Sequence, residues 1–175
     1  EIIYTPSTMT NKDVRAILMM NEPGKILNNG GKMEYIFTQN GEFTFEFEDY
    51  AGNIGSKTAY VTWMDKIPPV VSIEYSNIEK TNKPVDVTLK VEENSIIMNN
   101  GGSPKRTFYT NGEYTFNVRD EAGNISLIKA IVENIDGDKP DIKLKGLTYV
   151  SIFQDEAYIE AGYTAIDNVD GDLSS

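Results

Sequence analysis

The sequence contains no cysteine and no histidine. The first absence removes disulfides, thiol chemistry and iron–sulfur ligation. The second removes hydrolases built on a Ser-His or Cys-His pair, together with His-ligated zinc. A cysteine-free chain suits the cytosol, and equally surface proteins that fold without oxidative help. Basic residues are scarce: 16 Lys and Arg stand against 27 Asp and Glu, a formal net charge of −11. That balance argues against nucleic acid, whose binding draws on a basic face, and against docking on an anionic membrane. No apolar run approaches the roughly 18 residues that a membrane helix needs, so no membrane insertion is expected. No signal peptide opens the chain, and both ends read as cuts through a longer polypeptide.

What the sequence does contain is itself, twice. Thr10–Pro69 laid over Thr81–Pro140 at a fixed offset of 71 gives 26 identities in 60 positions without a gap. A period of this length marks a tandem array of supersecondary units. The shared words include "NNGG" at Asn28 and Asn99, "NGE" at Asn40 and Asn111, and "AGNI" at Ala51 and Ala122. The domains are therefore expected at 1–69 (copy one), 70–140 (copy two) and 141–175, a third segment of different wording. Copy one has 9 acids and 6 bases, copy two 11 and 8, and the third segment 7 and 2, so the acid excess is concentrated at the end.

Within the repeat, Phe43, Phe45 and Phe47 alternate with Thr44, Glu46 and Glu48, and Tyr114, Phe116 and Val118 repeat the pattern. Val14, Ala16 and Leu18 alternate likewise, as do Val85, Val87, Leu89 and Val91. Period two with aromatic and β-branched residues is the mark of a strand with one buried face. "KMEYIFT" and "KTAYVTW" read as further strands, and Asn-Gly, Gly-Gly and Ala-Gly-Asn supply turns between them. No long stretch has helical spacing. Many short strands separated by turns predict an all-β chain of small antiparallel sandwiches. "MDKIPP" and "IDGDKP" join the units, and proline stiffens such linkers.

The repeat serves as an internal control on candidate sites. Glu48 and Asp49 resemble a carboxylate pair, but Glu48 becomes Arg119 in copy two. Asp49 and Asp120 are instead expected to cap a turn with Gly52 and its counterpart at positive φ. "DNVDGD" (Asp167, Asp170, Asp172) gathers enough carboxylates to hold calcium, although its spacing is not that of an EF-hand, and an acidic β-turn is the favoured alternative. Asp136 and Asp138 could hold calcium at a domain junction; the first junction offers only Asp65 followed by Lys66, so a solvated turn is favoured there too. "NNGG" lacks the Lys and the helix of a phosphate loop and reads as a turn. Trp63, Tyr60 and Tyr50 could form an aromatic sugar platform, but their counterparts are Asn134, Ile131 and Glu121. A lone Trp beside a linker is expected to pack the junction. No residue is assigned a catalytic role, and no cofactor other than calcium is implied.

The run "TNKDV…NNGG…NGEFTFEFEDYAGN…DKIPP" resembles the Ig-like repeats of bacterial cell-surface proteins, Gram-positive ones especially. "YIEAGYTAIDNVDGDLS" is similar to a second family of bacterial surface Ig-like domains, of which 141–175 would be the N-terminal half. The resemblance implies tandem Ig-like antiparallel β-sandwiches joined by short proline-containing linkers, in an extracellular, cell-surface or cell-wall setting. Such repeats occur in adhesins, in cell-wall proteins and as accessory modules of secreted glycosidases. They usually act as non-catalytic spacers or adhesive modules. The implied partners are other domains of the same longer chain and, for an adhesive surface, a host glycan or matrix protein.

Overall fold

Alternating side chains and frequent turn residues leave the backbone no long run to coil, and the computed structural model is all-β. It describes residues 1–174. In copy one the strands are β1 (Ile2–Thr5), β2 (Val14–Leu18), β3 (Gly24–Ile26), β4 (Glu34–Phe37), β5 (Gly41–Asp49) and β6 (Ile54–Val61). In copy two they are β7 (Val71–Tyr75), β8 (Val85–Val91), β9 (Ser95–Ile97), β10 (Lys105–Phe108), β11 (Gly112–Asp120) and β12 (Ile125–Val132). The third segment adds β13 (Asp141–Leu144), β14 (Tyr163–Asp167) and β15 (Gly171–Asp172). They form five three-stranded sheets in the orders β1-β2-β4, β3-β5-β6, β10-β8-β7, β12-β11-β9 and β13-β14-β15. Pairing within these sheets is antiparallel.

The two sheets of copy one meet through a single apolar cluster. Val14, Ala16 and Leu18 of β2 and Phe37 of β4 face Ile26 of β3, Phe45 of β5 and Ala59 and Val61 of β6, closed by Met64. Phe45 is fully buried, whereas Phe43 and Phe47 on the same face are only partly so. Copy two buries the counterparts Val85, Val87, Leu89, Phe108, Phe116, Ala130 and Val132. Burying one such side chain is worth roughly 1.5–3 kcal/mol, and in a sheet face this small a few positions must supply most of it.

Side-chain bonds to the backbone repeat as faithfully as the strands. Asn28 Nδ2 donates to Thr44 O at 2.7 Å, and Asn99 to Thr115 O at 2.8 Å. Asn40 exchanges bonds with both backbone groups of Met64, and Asn111 does so with Ile135. The Tyr4 hydroxyl accepts from the Tyr60 amide at 3.1 Å, as the Tyr75 hydroxyl does from the Ile131 amide. "NNGG" is a one-turn 3₁₀ segment in both copies, with Asn29 at φ 51° and Asn100 at φ 54°.

Where the copies differ, neighbouring positions change together. Arg15 pairs with Glu34 across β2 and β4; at the equivalent positions Asp86 pairs with Lys105, the same ion pair with its signs exchanged. Tyr35 stacks on Phe43 with ring centroids 3.9 Å apart, and the counterpart Arg106 lies 3.9 Å from the centroid of Tyr114 as a cation–π pair. Phe47 covers Gly55, its cross-strand partner, where Val118 and Ser126 occupy the equivalent positions.

Contacts divide the chain into two compact units that do not follow the repeat. The first takes in Glu1–Ile73, Leu89–Pro104 and Thr115–Lys129; the second takes in Glu74–Thr88, Lys105–Tyr114 and the chain from Ala130 on.

Candidate functional site

Strand β5 ends on Asp49, and the turn Asp49-Tyr50-Ala51-Gly52-Asn53 leads into β6. Gly52 sits at φ 89°, a region glycine enters without steric penalty. Asp49 Oδ1 accepts from the amides of Ala51 and Asn53, both at 2.8 Å, and its Oδ2 accepts from Asn53 Nδ2 at 2.7 Å. These bonds, the Asn53 side chain first, hold the Asp49 carboxyl below the usual carboxylate range. Copy two repeats the arrangement: Asp120 accepts from the amides of Gly123 and Asn124 and from Asn124 Nδ2, each at 2.7 Å. Glu48 takes no part; it pairs with Lys25 at 2.8 Å. The carboxylate is thus a turn cap in each copy.

The two turns share chemistry but not surroundings. In copy one Ala51, Gly52 and Asn53 are exposed. In copy two Ala122 and Asn124 are 8% exposed and Asp120 5%. Residues of copy one and the linker cover them, all within the first compact unit. The Asn11 amide donates to Ala122 O at 3.0 Å; within copy two, the Glu92 amide donates to Val70 O at 3.3 Å, just where the linker ends. Asn124 Nδ2 donates to Asp65 O at 2.9 Å, and Ser126 Oγ to Pro69 O at 2.6 Å. The linker is also tied back to copy one, since Lys66 Nζ reaches Asp13 at 2.6 Å and Thr38 O at 2.8 Å.

The joint also gathers acids. Carboxylate oxygens of Asp65, Glu93 and Asp120 lie within 4.8 Å of one another, as do those of Asp136, Asp167 and Asp170. Of the five calcium candidates read from the sequence, Asp136, Asp167 and Asp170 come together, while Asp138 and Asp172 stay outside the group. Asp138 accepts from Asn168 Nδ2 at 2.8 Å, and Asp172 accepts from the Ser174 amide at 2.9 Å. Asp167 Oδ1 caps its own turn by accepting from Val169 and Asp170 amides at 2.8 and 2.9 Å. Those backbone bonds, Asp170's foremost, lower its pKa. Lys80 is bonded to Asp170, which together with the nearby Asp136 and Asp167 raises the Lys80 pKa. An ammonium therefore already balances part of this group. Calcium takes roughly six to eight oxygens, and here several carboxylate lone pairs are committed to backbone and to Lys80.

Sequence reasoning missed the Asp65, Glu93 and Asp120 group, because it weighed only neighbours along the linker. A signal was present: Asp65 matches Asp136, Glu93 matches Glu22 and Asp120 matches Asp49 across the repeat.

The aromatic candidates do not form one surface feature on these contacts. Trp63 packs on the copy-one core, meets Tyr4 edge-on at 5.1 Å and donates from Nε1 to Pro6 O at 3.2 Å. It serves its own sandwich and not a junction. Tyr50 and Tyr60 are 85% and 57% exposed. No family model and no curated protein matches this chain. Fold and site together define a protein of small antiparallel β-sheets whose shared polar residues clamp backbone turns.

Proposed function

We propose that the chain is a non-catalytic structural stalk or spacer segment of a bacterial cell-surface or secreted protein, built from tandem Ig-like β-sandwiches. One observation carries this reading. The polar residues that both copies keep, among them Asn28, Asn40, Asp49 and Asn53 with their counterparts, are bonded to backbone of strands, turns and linker and do not make up a shared open surface. The direct bonds between copy one's linker and the copy-two turn suit a load-bearing array. Its partners are then the other domains of a longer chain, in an extracellular or cell-wall setting.

The test is a binding screen of the purified chain on glycan and matrix-protein arrays. The spacer reading expects no saturable binding. A specific, saturable hit overturns it in favour of a carbohydrate- or host-ligand-binding accessory module of a larger secreted glycosidase. The exposed Tyr50 and Tyr60 favour that second reading, since Glu121 and Ile131 replace them in copy two. In that case Tyr50→Ala should abolish the hit.

A further inference from the structure

We infer that the exposed Asp49–Asn53 end of copy one is a docking face for a further unit of this same repeat, received through that unit's Asn11 loop and Asp65–Val70 linker. Copy two presents the same turn, residue for residue at Asp, Ala, Gly and Asn, and there the turn is covered. What covers it is the far end of copy one, through the bonds of Asn11 with Ala122, Asn124 with Asp65 and Ser126 with Pro69, while a fourth bond, from the Glu92 amide, holds the linker's exit at Val70, the first residue of copy two.

Copy one keeps the receiving groups. Ala51 O, the Asn53 amide group and the Asn21 N–H stand where Ala122 O, Asn124 and Glu92 N–H make the existing joint. Around them is a cleft of about 340 Å³ lined by Met19, Met20, Glu22, Phe47, Asp49 and Asn53. Glu22 and Asp49 are the counterparts of Glu93 and Asp120, the two acids that meet Asp65. One bond of the four has no equivalent, because Gly55 stands at the Ser126 position and the Phe47 ring lies over it. The face is therefore a three-bond version of the joint. This does not rest on the spacer reading, since a binding array would need the same joint. The array screen and the experiment below fail independently.

The experiment repeats residues 1–71 ahead of Glu1, which preserves the 71-residue period, and follows amide hydrogen exchange by NMR. In the parent chain the Asn21 amide should exchange quickly. In the extended chain it should slow by about tenfold or more, as expected of an amide bonded like that of Glu92 to Val70 O. Ala51→Trp, at an exposed position, should leave the melting temperature of the parent chain unchanged yet abolish the gain in the extended chain. Three results would overturn the proposal: no gain in a folded extended chain, a gain that survives Ala51→Trp, or an extended chain that no longer folds. Protection of Asn21 that appears in the parent chain only at high concentration overturns it too, by assigning the face to a second copy of the chain.

Discussion

Phe45 and Ile54 show what one residue contributes here. Phe45 is fully buried at the centre of the copy-one cluster, and Ile54 is 75% exposed at the start of the next strand. Phe45→Ala should cost about 3–5 kcal/mol, because lost transfer energy and the remaining cavity add. Ile54→Ser should fall within about 0.5 kcal/mol of the parent. Urea denaturation of the two variants measures both. The carboxylates make a second residue-scale prediction. Asp49, Asp86, Asp167 and Asp172 are all held below their ordinary pKa by hydrogen bonds in the folded state. A depressed folded pKa contributes stability above the unfolded value and loses it as pH falls toward the folded one. Melting temperature should therefore hold between about pH 5 and 8 and fall below about pH 4. Lys80 has the opposite sign: its raised pKa adds stability that is lost only in strong alkali. A melting temperature that stays flat down to pH 3 would contradict these assignments.

Among the elements, the long strands and the turns are legible in the sequence, and the short strands are not. β5 and β11 announce themselves through nine residues of alternation. β3 and β9 have three residues each, too few for a period, and exist because β5 and β11 offer them hydrogen-bonding edges. The Asp-x-Ala-Gly-Asn turn is legible because its chemistry is local. Glu93 in the acidic group is not, because it meets Asp65 and Asp120 across 28 and 27 residues of chain. Trp63 is misjudged for the same reason: proximity to the linker in sequence says nothing of Tyr4, its partner at the other end of the copy. The 3₁₀ turn offers a test at this scale. Asn29 combines φ 51° with side-chain bonds to Lys32 O and Glu34 O. Asn29→Val should cost about 1–3 kcal/mol through backbone strain and lost bonds, and Asn29→Gly distinctly less. Equal losses in the two variants, read by thermal melting, would show that φ is not the constraint.

At the level of the whole molecule, the third segment stands apart. β13 is exposed along its whole length, and Leu147, Tyr149, Phe153 and Ile159 are each at least 80% exposed. Bare strand edges and apolar side chains invite pairing with another chain. Light scattering at rising concentration should show association of the full chain, and deletion from Asp141 onward should remove it. A full chain that stays monomeric throughout would contradict this.

The exchanged signs of the Arg15–Glu34 and Asp86–Lys105 pairs bear on folding fidelity. Two neighbours this alike risk trading strands while they fold. Were β10 to take the place of β4 beside β2, Lys105 would meet Arg15. In the reciprocal error Glu34 would meet Asp86. Either misassembled pair sets like charges side by side, so the inversion would disfavour strand exchange between the two related copies. Giving copy two the signs of copy one, with Asp86→Arg and Lys105→Glu together, should lower the yield of native protein on refolding from denaturant. The defect should be greatest at low salt, where the charges are least screened, and unchanged yields would show that the halves tell each other apart by other means.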